Sequence, residues 1–175
     1  MKKLSEFLGV LFKLMCVFFC IQSVHAQNLT QESTWQLTGE KKNFYANQGV
    51  FHYNLKAITS KLSNPNIPES TINDVRTRYD KSKKTLRLVF DLSSAEMAPL
   101  YGHISAEKKK VFIDFFHTTP REGLNQTIST PFLESLKIWK IEKNMTSVEL
   151  QFNEKYLFEV FTLSNPARLV IDIKK

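Results

Sequence analysis

The chain has 175 residues, with 24 lysines and arginines against 17 acidic side chains, a formal net charge of +7 and 14 phenylalanines. That is enough for one domain and a tail and too little for two full-sized domains. Two cysteines and five glycines leave little material for a disulfide scaffold or a phosphate-cradling loop.

Residues 1–26 read as a cleavable export signal. Lys2 and Lys3 form a positive start, Leu14-Met15-Cys16-Val17-Phe18-Phe19-Cys20-Ile21 an apolar stretch, and Val24-His25-Ala26 a cleavage site. The apolar run is too short to span a bilayer, and Lys13 interrupts it. An uncleaved N-terminal anchor is the alternative. Neither Cys16 nor Cys20 follows the small residues a lipobox needs, which argues against a lipoprotein. Cleavage would leave 149 residues, no cysteine and a charge of +5, excluding a disulfide, a cysteine zinc site and a thiol nucleophile. The expected location of the mature form is the periplasm, with secretion as the alternative, and with no membrane span.

The remaining lysines are scattered as Lys41-Lys42, Lys81/Lys83/Lys84, Lys108-Lys109-Lys110 and Lys174-Lys175, mostly at expected turns, where they solubilise hairpin tips. A basic surface also attracts anionic envelope polymers. Nucleic acid is not an expected partner of an exported chain without a basic-aromatic binding motif.

Residues 27–70 are polar and irregular, and close on a proline-containing linker, Ser63-Asn64-Pro65-Asn66-Ile67-Pro68-Glu69-Ser70. The aromatics from Phe44 to Tyr53 either dock on the next domain or form a short element of their own. Residues 71–175 are expected to form an all-β domain with strands at 72–79, 85–92, 100–105, 111–116, 133–141, 146–152, 157–163 and 169–173. Leu86, Leu88, Phe90 and Leu92 fall on one face of the second, with Arg87, Val89 and Asp91 on the other. Val111, Ile113 and Phe115 repeat the inward pattern, as do Leu169, Ile171 and Ile173.

The eight runs divide into two similar fours. Leu88-Val89-Phe90-Asp91-Leu92 precedes Val148-Glu149-Leu150-Gln151-Phe152 by 60 residues, and the run ending at Asp114 precedes the one ending at Asp172 by 58. Each four is too small to bury its own apolar face, so the expected fold is a sandwich of two pseudo-symmetric four-stranded antiparallel sheets.

These runs, above all Val148-Glu149-Leu150-Gln151-Phe152 and Leu157 through Ser164-Asn165-Pro166-Ala167-Arg168-Leu169-Val170-Ile171-Asp172-Ile173, resemble an AMIN domain. That family is the non-catalytic envelope module found beside cell-wall amidases and in pilus secretins. The resemblance covers residues 72–175 and implies binding of peptidoglycan or an envelope, divisome or pilus protein. Two departures accompany it. No amidase or secretin region follows Ile173 in these residues, which points to a stand-alone adaptor or a working N-terminal segment. The first half carries Ala106-Glu107-Lys108 in place of the Asn-Pro turn.

Catalysis has little support. His52, His103 and His117 stand in unrelated contexts without metal-ligand spacing, and no Gly-x-Ser-x-Gly elbow occurs, so no cofactor or metal is expected. Asp91, Asp114 and Asp172 fit strand-end roles, accepting turn N–H groups or pairing with Arg87 and Arg168. The candidate ligand-binding residues are Arg87, Arg168, Trp139 and Phe112, placed on outward faces: guanidinium groups grip carboxylates and aromatic faces cover sugar rings. Packing of these groups beneath the N-terminal segment is the competing expectation. The functional alternative is a small β-barrel carrying a lipid or other apolar ligand in a phenylalanine-lined lumen. An enzyme ranks third and would need a clustered His–Asp site.

Overall fold

The computed structural model describes residues 34–41, 45–54, 69–124 and 130–175. The export signal and most of the proline linker lie outside the described residues. Those described from Thr34 onward belong to one compact unit. The described strands are β1 (Thr34–Gln36), β2 (Gly49–Tyr53), β3 (Ser70–Asp80), β4 (Thr85–Leu92), β5 (Leu100–Ser105), β6 (Lys110–Phe116), β7 (Thr118–Pro120), β8 (Leu133–Glu142), β9 (Met145–Phe152), β10 (Leu157–Leu163) and β11 (Arg168–Lys174). Among the described residues there is no helix, and none therefore long and apolar enough to cross a membrane. All eight expected runs form strands, because period-two alternation of branched and aromatic side chains suits a sheet with one buried face.

The sheets differ from the expected pair. One has six strands in the order β1-β2-β5-β6-β9-β8, the other five in the order β10-β11-β4-β3-β7, and each contains a parallel pair, β1 with β2 and β3 with β7. The two halves do not build one sheet each, either. The β3–β4 hairpin joins β10–β11 from the other half, while β5–β6 joins β8–β9. The physical reason is pairing: β4 and β6 hydrogen-bond to β11 and β9, so neither half closes on itself. Short β1, β2 and β7 lack a long alternating pattern, which is why the sequence hides them.

The two sheets share one apolar core. Leu86, Leu88, Phe90, Val111, Ile113, Phe115, Leu169, Ile171 and Ile173 are all fully buried. Each such side chain contributes roughly 1.5–3 kcal/mol of transfer free energy. Phe90 of one sheet meets Phe115 of the other at 5.7 Å between ring centroids. A second aromatic group, Tyr79, Phe132, Tyr156, Phe152 and Phe158, runs on with centroid separations of 4.9 to 5.9 Å.

The aromatic cluster near residue 51 resolves both ways at once. Phe51 lies in β2, extending the six-stranded sheet through β5, and its ring is fully buried. The ring lies over Gly102, its partner across the strands, so closely that a Cβ there would overlap it. Glycine is what allows that approach. Upstream of β2, Ala46 exchanges two backbone hydrogen bonds with Phe158, at 2.7 and 2.9 Å, and Thr38 O accepts one from Thr162 N at 3.2 Å. This N-terminal strap covers the outer edge of β10, which would otherwise be an open template for another chain.

Candidate functional site

The outer face of the five-stranded sheet is built by register. Arg78, Arg87, Asp172 and Glu159 lie side by side on β3, β4, β11 and β10, and Arg76, Val89, Val170 and Phe161 form the next row. Alternation dictates this: Arg76 and Arg78 are two apart in β3, as Arg87 and Val89 are in β4, so all four leave the sheet on one side. Arg168 opens β11 on the same face, opposite Asp91.

Acidic partners fix some of these cations. Arg87 donates from Nε and Nη2 to the two carboxylate oxygens of Asp172, at 2.6 and 2.7 Å. Lys41 Nζ, from the strap, reaches Asp172 at 2.5 Å and Glu159 at 3.1 Å. Asp172 and Glu159 are only 1% and 3% exposed, so their charges depend on these bonds. Burial alone would raise the Asp172 pKa, but the bonds from Arg87 and Lys41 outweigh it and hold the carboxyl below its ordinary range. The bond to Asp172 raises the Arg87 pKa; at Lys41 burial opposes, and hydrogen bonds to Asp172 and Glu159 prevail, to give a raised value. Burial also raises the Tyr45 phenol beside them. Arg76 pairs with Asp91, at 2.5 and 2.7 Å.

Two of the arginines are uncommitted. Arg78 makes no ion pair with a described residue, and Arg168 Nε is buried with no hydrogen-bond partner among them. Both line a cavity of about 450 Å³ with Arg76 and Arg87, over an apolar floor of Val89, Val170 and Leu163. An adjoining cavity of about 320 Å³ shares Arg78 and Arg87 and adds Lys41, Tyr45, Lys83 and Asp172. Such a surface can bind carboxylate or phosphate groups bidentately while apolar parts of the ligand rest on the valines.

The four sequence candidates therefore separate. Arg87 and Arg168 share this face, whereas Trp139 on β8 and Phe112 on β6 sit on the outer face of the other sheet. Of the three aspartates expected to accept turn N–H groups or to pair with Arg87 and Arg168, Asp172 pairs with Arg87, Asp91 goes to Arg76, and Asp114 to the hydroxyl of Ser147. Val170 points away from the core with Arg168 and Asp172 but is only 2% exposed. Arg76 and Arg78 escaped the sequence reading, although Val75-Arg76-Thr77-Arg78 carries the alternating signal. Lys41 had none, since its partners are more than a hundred residues away. Among the described residues no group of three His, Cys, Asp or Glu side chains is placed to hold a metal. Compared with known protein families and with curated proteins, the sequence finds a match in neither.

Proposed function

We propose that this chain is a non-catalytic module of the cell envelope, exported to the periplasm, that binds peptidoglycan through the arginine face. In this reading it is an AMIN-like sandwich whose two four-stranded antiparallel cores, β3-β4-β11-β10 and β8-β9-β6-β5, are pseudo-symmetric. One observation carries the proposal: four arginines converge on one cavity, and two of them, Arg78 and Arg168, have no acidic partner among the described residues. Peptide stems of peptidoglycan present carboxylates, which planar guanidinium groups grip in pairs. The net positive charge draws a polyanion to this surface, and added salt weakens that attraction.

A lipid carrier would need its phenylalanines lining a lumen. Phe51, Phe90, Phe115 and Phe152 are instead packed in the shared core. The test is co-sedimentation of the protein, beginning at residue 27, with purified sacculi at low and moderate salt. Retention that Arg78→Gln with Arg168→Gln abolishes supports the proposal; no retention at low salt overturns it.

A further inference from the structure

The outer face of the six-stranded sheet repeats the geometry of the arginine face with different chemistry. Across it the register runs Trp139, Ser147, Asp114, Tyr101 on β8, β9, β6 and β5. Strand for strand, these are the places of Arg78, Arg87, Asp172 and Glu159 on the other sheet. The backbone positions correspond, but only the aspartate is kept.

That exchange changes what the surface can do. Around Asp172 a guanidinium and an ammonium cover the carboxylate until it is 1% exposed. Around Asp114 the counterpart of Arg87 is Ser147, whose short hydroxyl bonds one carboxylate oxygen and covers little. Asp114 stays half-buried, with no cation paired to it among the described residues. Trp139 and Tyr101, the outer two of these four before the row runs on to His52 and Gln36, are 41% and 38% exposed. Three strand spacings separate them, about 14 Å. In the neighbouring row the charges answer one another: Glu149 accepts from Lys110 at 3.1 Å and lies 3.8 Å from Lys137, and Lys110 sits over the Phe112 ring.

We infer that this face is a second binding site, for an uncharged linear oligosaccharide lying across the strands. The C–H faces of sugar rings stack on Trp139 and Tyr101, and their hydroxyls donate to Asp114, whose carboxylate the buried Ser147 hydroxyl holds in place. A protein partner would ask for a different surface. The cores of protein interfaces are contiguous and depleted of charge, whereas here two hydrogen-bonding groups, one of them a carboxylate, interrupt the aromatics. An anionic ligand is disfavoured by Asp114, so this site does not duplicate the arginine face.

The two tryptophans of the chain make the experiment direct. In a Trp35→Phe background Trp139 is the sole tryptophan, and its emission is followed during titration with chitohexaose and, separately, cellohexaose. A saturable change with either sugar supports the site, and the preferred sugar shows whether acetamido groups are recognised. Tyr101→Thr, suited to a strand, and Asp114→Asn, isosteric with the carboxylate, are expected to weaken binding at least tenfold, while Arg78→Gln leaves it unchanged. No saturable change with either sugar up to millimolar concentration overturns the inference, as does undiminished binding by Tyr101→Thr. Because the probes carry no charge, this result is independent of the sacculus experiment on the arginine face.

Discussion

Arg87 and Asp172 face each other across β4 and β11 and close two hydrogen bonds, at 2.6 and 2.7 Å, although 85 residues separate them in sequence. Arg87 is about half exposed and Asp172 is not, so the pair is a surface guanidinium holding a buried carboxylate. Loss of either partner then has unequal effects. Arg87→Ala strands a desolvated charge that, among the described residues, only Lys41 still meets, and the expected loss is about 2 kcal/mol. Asp172→Asn removes the charge itself and is expected to be milder. Urea unfolding of both variants and of the double variant measures the coupling.

Acid exposes the same carboxylate. The folded Asp172 pKa lies below its unfolded value, so its contribution to stability is present above about pH 4 and is lost as pH falls through the folded value. Lys41 and Arg87 shift upward, so their contribution is full at neutral pH and fades only when strongly alkaline conditions deprotonate them. Denaturation midpoints compared at pH 7 and pH 3 are expected to converge between the natural chain and Asp172→Asn in acid, and to differ at neutrality.

Gly102 and Phe51 make a steric test of the N-terminal strand. A methyl group at Gly102 collides with the Phe51 ring, and Gly102→Ala is expected to cost about 1–3 kcal/mol. Adding Phe51→Ala removes the obstacle at the expense of a cavity. The double variant is therefore expected to be less destabilised than the two single changes summed, a sign that thermal unfolding of all three reads directly.

Arg78→Gln and Arg168→Gln are expected to separate binding from folding. Neither side chain has an ion pair with a described residue to lose, so stability should move by no more than about 0.5 kcal/mol. Sacculus retention should fall about tenfold for each, with a shallower dependence on salt, measured by co-sedimentation beside a melting curve.

The sequence made the strands legible and the sheets less so. Leu86-Arg87-Leu88-Val89-Phe90 declares a half-buried strand from its own alternation, and all eight such runs are in place. Which strand lies beside which is a long-range choice that alternation does not encode, so the exchange of hairpins between halves was invisible. The candidate site was half legible for the same reason. Arg87 and Arg168 were readable from period two, but their separation from Trp139 and Phe112 depends on sheet membership. Lys41 acquires its role only when the strap crosses β10, a placement no local pattern records.

The exchange of hairpins also sets when the molecule can form. Beyond its hairpin partner β3, β4 pairs with Arg168–Lys174, and beyond β5, β6 pairs with Met145–Phe152. During synthesis the six-stranded sheet waits for β9 and the five-stranded sheet for β10 and β11, and the apolar faces of β4 and β6 stay uncovered meanwhile. A chain with this wiring is slow to collapse into its native shape. That delay would suit the export proposed above, in which the polypeptide is threaded through a membrane before it folds.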